Sequence, residues 1–134
     1  MKLFSKNLLI YTLAALLMTI VLRSILSHIF INRNFIVINM WAFLYFALLI
    51  LIGWRLGNPE EKQGGYFNSF FRYHLVTFLS WTVVSVLWFR LGYASEFEDF
   101  SHVTIPMLIW GGGIILHFLY LLVFRRATIS KAHA

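Results

Sequence analysis

The sequence predicts an all-α integral membrane protein of four spanning helices, paired as two antiparallel transmembrane hairpins. Three observations carry that prediction. Of 134 residues, 60% are hydrophobic and only 12% are charged, whereas a soluble domain carries about 25% charged residues to wet its surface. The mean hydropathy of +0.79 also excludes disorder, which needs low hydrophobicity. Four runs reach the roughly 20 apolar residues needed to cross a bilayer, and they are continuously apolar rather than alternating, which argues against a barrel.

The first run covers residues 8–31. Lys2 and Lys6 precede it as they would precede a signal peptide, but no A-x-A-like cleavage site follows around Arg23, Ser24 and Ile25, so the run is kept as a helix. Asn32, Arg33 and Asn34 form a polar turn into the second run, residues 36–54. Pro59 and the Gly64-Gly65 pair are expected to break the connection, placing a loop at 58–72. The third run covers 73–91 and the fourth 103–124, with Glu96, Glu98 and Asp99 in the loop between them. Pro106 is expected in the first turn of the fourth helix, where its missing N–H is not needed. The domain organisation is therefore a first hairpin at 1–57, a loop at 58–72, a second hairpin at 73–125 and a tail at 126–134.

Basic residues set the orientation. Four spans put Lys2, Lys6, Arg55, Lys62, Arg72, Arg125, Arg126 and Lys131 on one side, and Arg23, Arg33 and Arg90 on the other; these account for all 11. The positive-inside rule then expects both termini in the cytoplasm. The net charge of +6 is read as topology and contact with anionic headgroups, with the lipid bilayer as partner and no nucleic acid. With no cysteine, the chain has no disulfides, thiolate metal sites or iron–sulfur ligands. An offset of 67 aligns Leu8 with Leu75, Tyr11 with Phe78 and Arg23 with Arg90; duplication of a hairpin and coincidence between leucine-rich helices both stand as readings of it.

Arg23 is the one basic residue that is not flanking. The apolar run before it, 8–22, is too short to span, which leaves Arg23 about 12 Å short of residue 31. An arginine at the centre of a spanning helix costs about 2.5 to 3.5 kcal/mol on the insertion scale, and such a residue calls for a partner. Glu96, Glu98, Asp99, Arg90 and Asn39 lie on the same side and are expected to form a polar outer-leaflet cluster with it. The simpler alternative is that Arg23 snorkels to phosphate headgroups.

Four histidines fall into two pairs by depth, His74 with His117 and His28 with His102. Facing histidines can hold a b-type haem; the simpler reading is that His74 and His117 hydrogen-bond within the second hairpin and orient it. Counting from Arg72 and Arg125 puts His74 and His117 about 9 Å apart in depth, a poor fit to two axial ligands. No metal site is expected, and the acids at 96–99 lack EF-hand spacing. Gly111, Gly112 and Gly113, together with the G-x-x-x-G of Gly53 and Gly57, are read as helix-packing faces, with a hinge at the triple glycine as the alternative. Of the tryptophans, Trp41, Trp54, Trp88 and Trp110 are expected near helix ends as interfacial anchors, with Trp81 in core packing or a subunit contact.

Phe71, His74 and Leu75 at the start of the third run, with Trp110, Gly111, Gly113, Leu116 and His117 in the fourth, give residues about 67–125 a pattern that resembles the bacterial 2TM domain family. The resemblance implies a two-helix membrane module with no established catalytic activity, sometimes coupled to cytoplasmic signalling regions. No P-loop, dinucleotide fingerprint, H-E-x-x-H or serine elbow appears, and no Asp or Glu lies within the four runs. The expected function is therefore that of a non-enzymatic interaction, accessory or signal-relay subunit of the bacterial inner membrane, assembling with itself or with a larger membrane protein. The alternative is a small homo-oligomeric channel or transporter in which Arg23 and Asn39 line a path favouring anions.

Overall fold

The computed structural model describes residues 5–31, 34–64 and 66–132, with the side chains of residues 35, 58–69 and 124–132 outside the description. Lys2, Asn32, Arg33 and Gly65, and the side chains of Pro59, Lys62, Arg125, Arg126 and Lys131, therefore lie outside the described residues. The chain forms four helices, α1 (Lys6–Ile31), α2 (Phe35–Gly64), α3 (Tyr66–Arg90) and α4 (Ser101–Ala132). Each contains a stretch long and apolar enough to cross a membrane: Lys6–Ile31, Ile36–Gly57, Phe70–Arg90 and Ser101–Val123.

Local chemistry fixes several helix ends. The Ser5 hydroxyl accepts the Leu8 N–H at 3.0 Å and caps α1, and the Asn34 side-chain carbonyl accepts the Val37 N–H at 3.3 Å at the start of α2. The end of α3 is a Schellman motif, in which the Tyr93 N–H reaches the Trp88 carbonyl and the Gly92 N–H reaches that of Phe89. Gly92 sits there at φ 75°, a conformation that costs a residue with a Cβ. Asp99 opens α4, and Asp99 Oδ1 accepts the Ser101 N–H at 2.8 Å while its own N–H is taken by His102 Nδ1 at 3.1 Å. Two expectations about proline change. Because Asp99 caps α4, Pro106 lies beyond its first turn, and the helix runs through it with one backbone bond forgone. Pro59 does not stop α2, which continues to Gly64; the 58–72 stretch is thus helical on both sides of residue 65.

The core is the seam between α1 and α3, with α2 packed on both and α4 packed on α3. On α1, Tyr11, Ala15, Thr19, Arg23 and Ser27 recur at every fourth position and all are buried; on α3, Tyr73, Thr77, Trp81 and Ser85 do the same. A spacing of four keeps side chains on one face of a helix, so small and polar groups from both helices meet there. Lipid tails give no hydrophobic drive to helix association, which leaves close packing and hydrogen bonds to hold the seam. The Tyr11 and Thr77 hydroxyls lie 2.6 Å apart, and those of Thr19 and Tyr45 lie 2.8 Å apart. Tyr11 and Tyr73 meet edge to face at 4.7 Å. The glycines of α2 receive this pair: a Cβ on Gly53 would stand 3.3 Å from the Tyr11 ring, and one on Gly57 would stand 3.5 Å from that of Tyr73.

Burial is unequal. One third of the α1 and α3 spans is buried, against 6% of the α4 span.

Candidate functional site

The polar centre of the molecule is built from the C-terminal half of α1, the end of α3 and the loop that follows. Arg23 Nη2 donates to Glu98 Oε2 at 3.4 Å, with the two side chains 4% and 1% exposed. The same carboxylate oxygen accepts from the Ser27 hydroxyl at 3.1 Å and from the Ser95 N–H at 3.3 Å. Ser27 in turn accepts the Trp88 indole N–H at 2.9 Å, which ties α1 to α3. The guanidinium carbon of Arg23 lies 5.5 Å over the Phe89 ring, a geometry in which the ring face attracts the cation. Arg23 Nε and Glu98 Oε1 are buried and make no hydrogen bond among the described residues.

This arrangement sorts the six residues expected to cluster. Arg23 and Glu98 are buried together, while Asn39, Arg90, Glu96 and Asp99 are exposed. Asp99 is engaged in starting α4 instead, and its hydrogen bonds from Ser101 hold its carboxyl below the usual aspartate value. Glu98 is outside the helices in sequence, yet the loop folds it back between them. An intramembrane arginine thus obtains a carboxylate that none of the spanning runs contains. Ser27 and Trp88 were missed as members of the site; the signal was present in the four-residue recurrence that puts Ser27 on the Arg23 face of α1.

A second constellation joins α3 to α4. Trp110 Nε1 donates to His74 Nε2 at 2.6 Å, and the Trp110 ring also meets Phe46 at 5.1 Å, Phe78 at 5.6 Å and Trp81 at 6.1 Å. Trp110 is therefore a half-buried hub of ring contacts in mid-helix and not the helix-end anchor expected of it, whereas Trp41 and Trp54 are exposed. The His74 and His117 rings lie 6.0 Å apart, with Phe71 edge-on to His117 at 5.3 Å. Rings 6.0 Å apart cannot differ by about 9 Å in depth, and both helices run past the arginines that set the expected level, α3 from Tyr66 and α4 to Ala132. An imidazole that accepts at Nε2 carries its proton on Nδ1, so His74 has no free lone pair for a metal or haem iron while the Trp110 bond is in place. On the other side, His28 is exposed, and His102 stacks at 5.2 Å on Phe30 while accepting from Asp99. Among the described residues, no group of three or more metal-ligating side chains is assembled.

The glycine set also divides. Gly53 and Gly57 pack against Tyr11 and Tyr73, and Gly111 faces Phe78 at 3.4 Å, but a Cβ on Gly112 or Gly113 would meet nothing within 4 Å.

Fold and site together define a multi-pass, four-helix protein whose interior is a hydroxyl-rich seam closed at one end by a buried ion pair. Comparison of the chain with protein-family models, curated proteins and solved structures finds no match.

Proposed function

We propose that this chain is a small non-enzymatic protein of the bacterial inner membrane that works as an interaction, accessory or signal-relay subunit through helix–helix assembly. The observation that carries the proposal is the buried Arg23–Glu98 pair. A pore or carrier that used Arg23 for anions would present its guanidinium to water, whereas here it is spent on a carboxylate, a ring face and the α1–α3 seam. The exposed apolar surface of α4, with the open backbone at Gly112 and Gly113, supports a role in contact with lipid or other helices.

The proposed topology is two antiparallel hairpins with both termini in the cytoplasm. It is supported by the eight-to-three division of basic residues and by contacts that pair Asn7 with Leu56 and Thr19 with Tyr45 in opposite chain order. The likeness of residues about 67–125 to the 2TM family is part of the same reading.

A native mass spectrum of the protein released from nanodiscs tests it. A second membrane polypeptide bound to one or two copies, or a discrete assembly of this chain with no ion flux in vesicles, is the expected result. Anion flux through vesicles of the purified protein, abolished by Arg23→Leu, would overturn it in favour of a channel, and an added haem mass would favour electron transfer.

A further inference from the structure

The loop between α3 and α4 joins two spanning segments through ten residues, 91–100, and it is not a hydrophilic turn. Leu91, Tyr93, Phe97 and Phe100 are 65%, 61%, 45% and 47% exposed. They surround Glu98, whose side chain is turned the other way into the helices. Large apolar groups of this number on a ten-residue connection would be costly in water, at about 25 cal/mol for each Å² left wetted.

The level of the loop along α1 can be read from its contacts. Phe89, at the end of α3, lies over Arg23, and the Ser27 hydroxyl binds Glu98. At the far end of the loop, His102 stacks on Phe30. The whole connection therefore runs beside the last two turns of α1, from Arg23 to Ile31, a rise of about 12 Å. The 26 residues of α1 give about 39 Å, close to the roughly 40 to 45 Å of a bilayer with its headgroup layers. A segment beside the final stretch of such a helix sits at headgroup depth. The exposed polar groups suit that depth too: Arg90, Glu96 and Asp99 carry charges that phosphate and amine headgroups can meet, and Trp88 stacks on Tyr93 at 5.3 Å as an interfacial aromatic pair.

We propose that residues 91–100 form a membrane-interface loop, seated in the lipid headgroup and upper acyl layer through Leu91, Tyr93, Phe97 and Phe100 and held at that depth by the Glu98–Arg23 contact. The occupant of this surface is lipid. The inference goes beyond the accessory role and rests only on the four helices spanning the membrane.

The absence of cysteine allows single-site spin labelling without background. Phe97→Cys, Phe100→Cys and Glu96→Cys, all at exposed positions, are labelled and reconstituted into vesicles of phosphatidylethanolamine and phosphatidylglycerol. Collision with oxygen, which concentrates in lipid, is compared with collision with a water-soluble nickel chelate present on both faces of the vesicle. Labels at 97 and 100 are expected to collide several-fold more with oxygen than with chelate, with the preference reversed at 96. Chelate-dominated collisions at 97 and 100 would place the loop in water and overturn the proposal. Shielding of both positions from both reagents would overturn it in favour of a protein cover. Ile109→Cys, on the exposed face of α4, calibrates the lipid reading; a water signal there would overturn the spanning of α4 and this inference with it.

Discussion

Trp110 donates its indole N–H to His74 Nε2 across the α3–α4 contact at 2.6 Å, and four aromatic or imidazole rings from two other helices close around the same indole. One bond thereby fixes the tautomer of a membrane-embedded histidine and the register of two helices.

Trp110→Phe keeps most of the ring packing and removes the donor. The expected cost is about 1 kcal/mol, the scale of a side-chain hydrogen bond between membrane helices. Unfolding in mixed detergent micelles, followed by circular dichroism, measures it. The double variant with His74→Phe should cost less than the sum of the two single changes, because it leaves no unpaired acceptor.

Breaking the Arg23–Glu98 pair from one side leaves a buried charge without its counterpart, at a cost of about 3 to 5 kcal/mol. Arg23→Met and Glu98→Gln alone should therefore each destabilise strongly in the same unfolding assay, and the double variant should recover a large part of the loss. Equal, small effects of all three would mean that the pair contributes little to the fold.

The two glycine faces separate packing within the chain from packing with neighbours. Gly53→Leu should disrupt the α1–α2 contact, since even a Cβ there stands 3.3 Å from the Tyr11 ring. Gly112→Ala meets nothing within 4 Å among the described residues, so helix propensity alone should stabilise it by up to about 1 kcal/mol. If Gly112→Leu leaves the isolated protein folded but removes a partner from the native mass spectrum, the open face is where that partner sits.

A small pH dependence is expected at the start of α4 from Asp99. Hydrogen bonds from Ser101 lower its carboxyl in the folded state, and His102 beside it adds to this. Stability from a depressed acid is present above the ordinary aspartate range near 3.8 and is lost as pH falls through the lowered folded value. Asp99→Asn should flatten the fraying of the 99–104 segment on acidification, as read by amide hydrogen exchange between pH 5 and about pH 2.5.

The four spans were legible because lipid demands long apolar runs, and their ends fall within a few residues of those read from composition. Arg23 could be matched to the acidic loop on charge and side, with Glu96, Glu98 and Asp99 as equal candidates, and the structure selects Glu98. What the charges concealed was the seam. Tyr11, Ala15, Thr19, Arg23 and Ser27 share one spacing, yet only the arginine stands out when charge is the guide. Hydroxyl pairs such as Tyr11–Thr77 and Thr19–Tyr45 join residues 66 and 26 positions apart, and no local pattern specifies which hydroxyl meets which. The dual use of the acidic loop was hidden for a related reason. Glu98 turns inward and Asp99 caps α4, a division set by the loop backbone and not by the side-chain types.

The 75 positions between Arg23 and Glu98 also set an order of events during synthesis. At ribosomal rates of about 5 to 20 residues per second, α1 waits roughly 4 to 15 s before its counter-ion has even been polymerised. In that interval the nascent helix must shelter its guanidinium against headgroups, the insertion machinery or a chaperone. Closure of the pair then marks the arrival of the second half of the chain, and a product ending before residue 98 would hold Arg23 without this carboxylate.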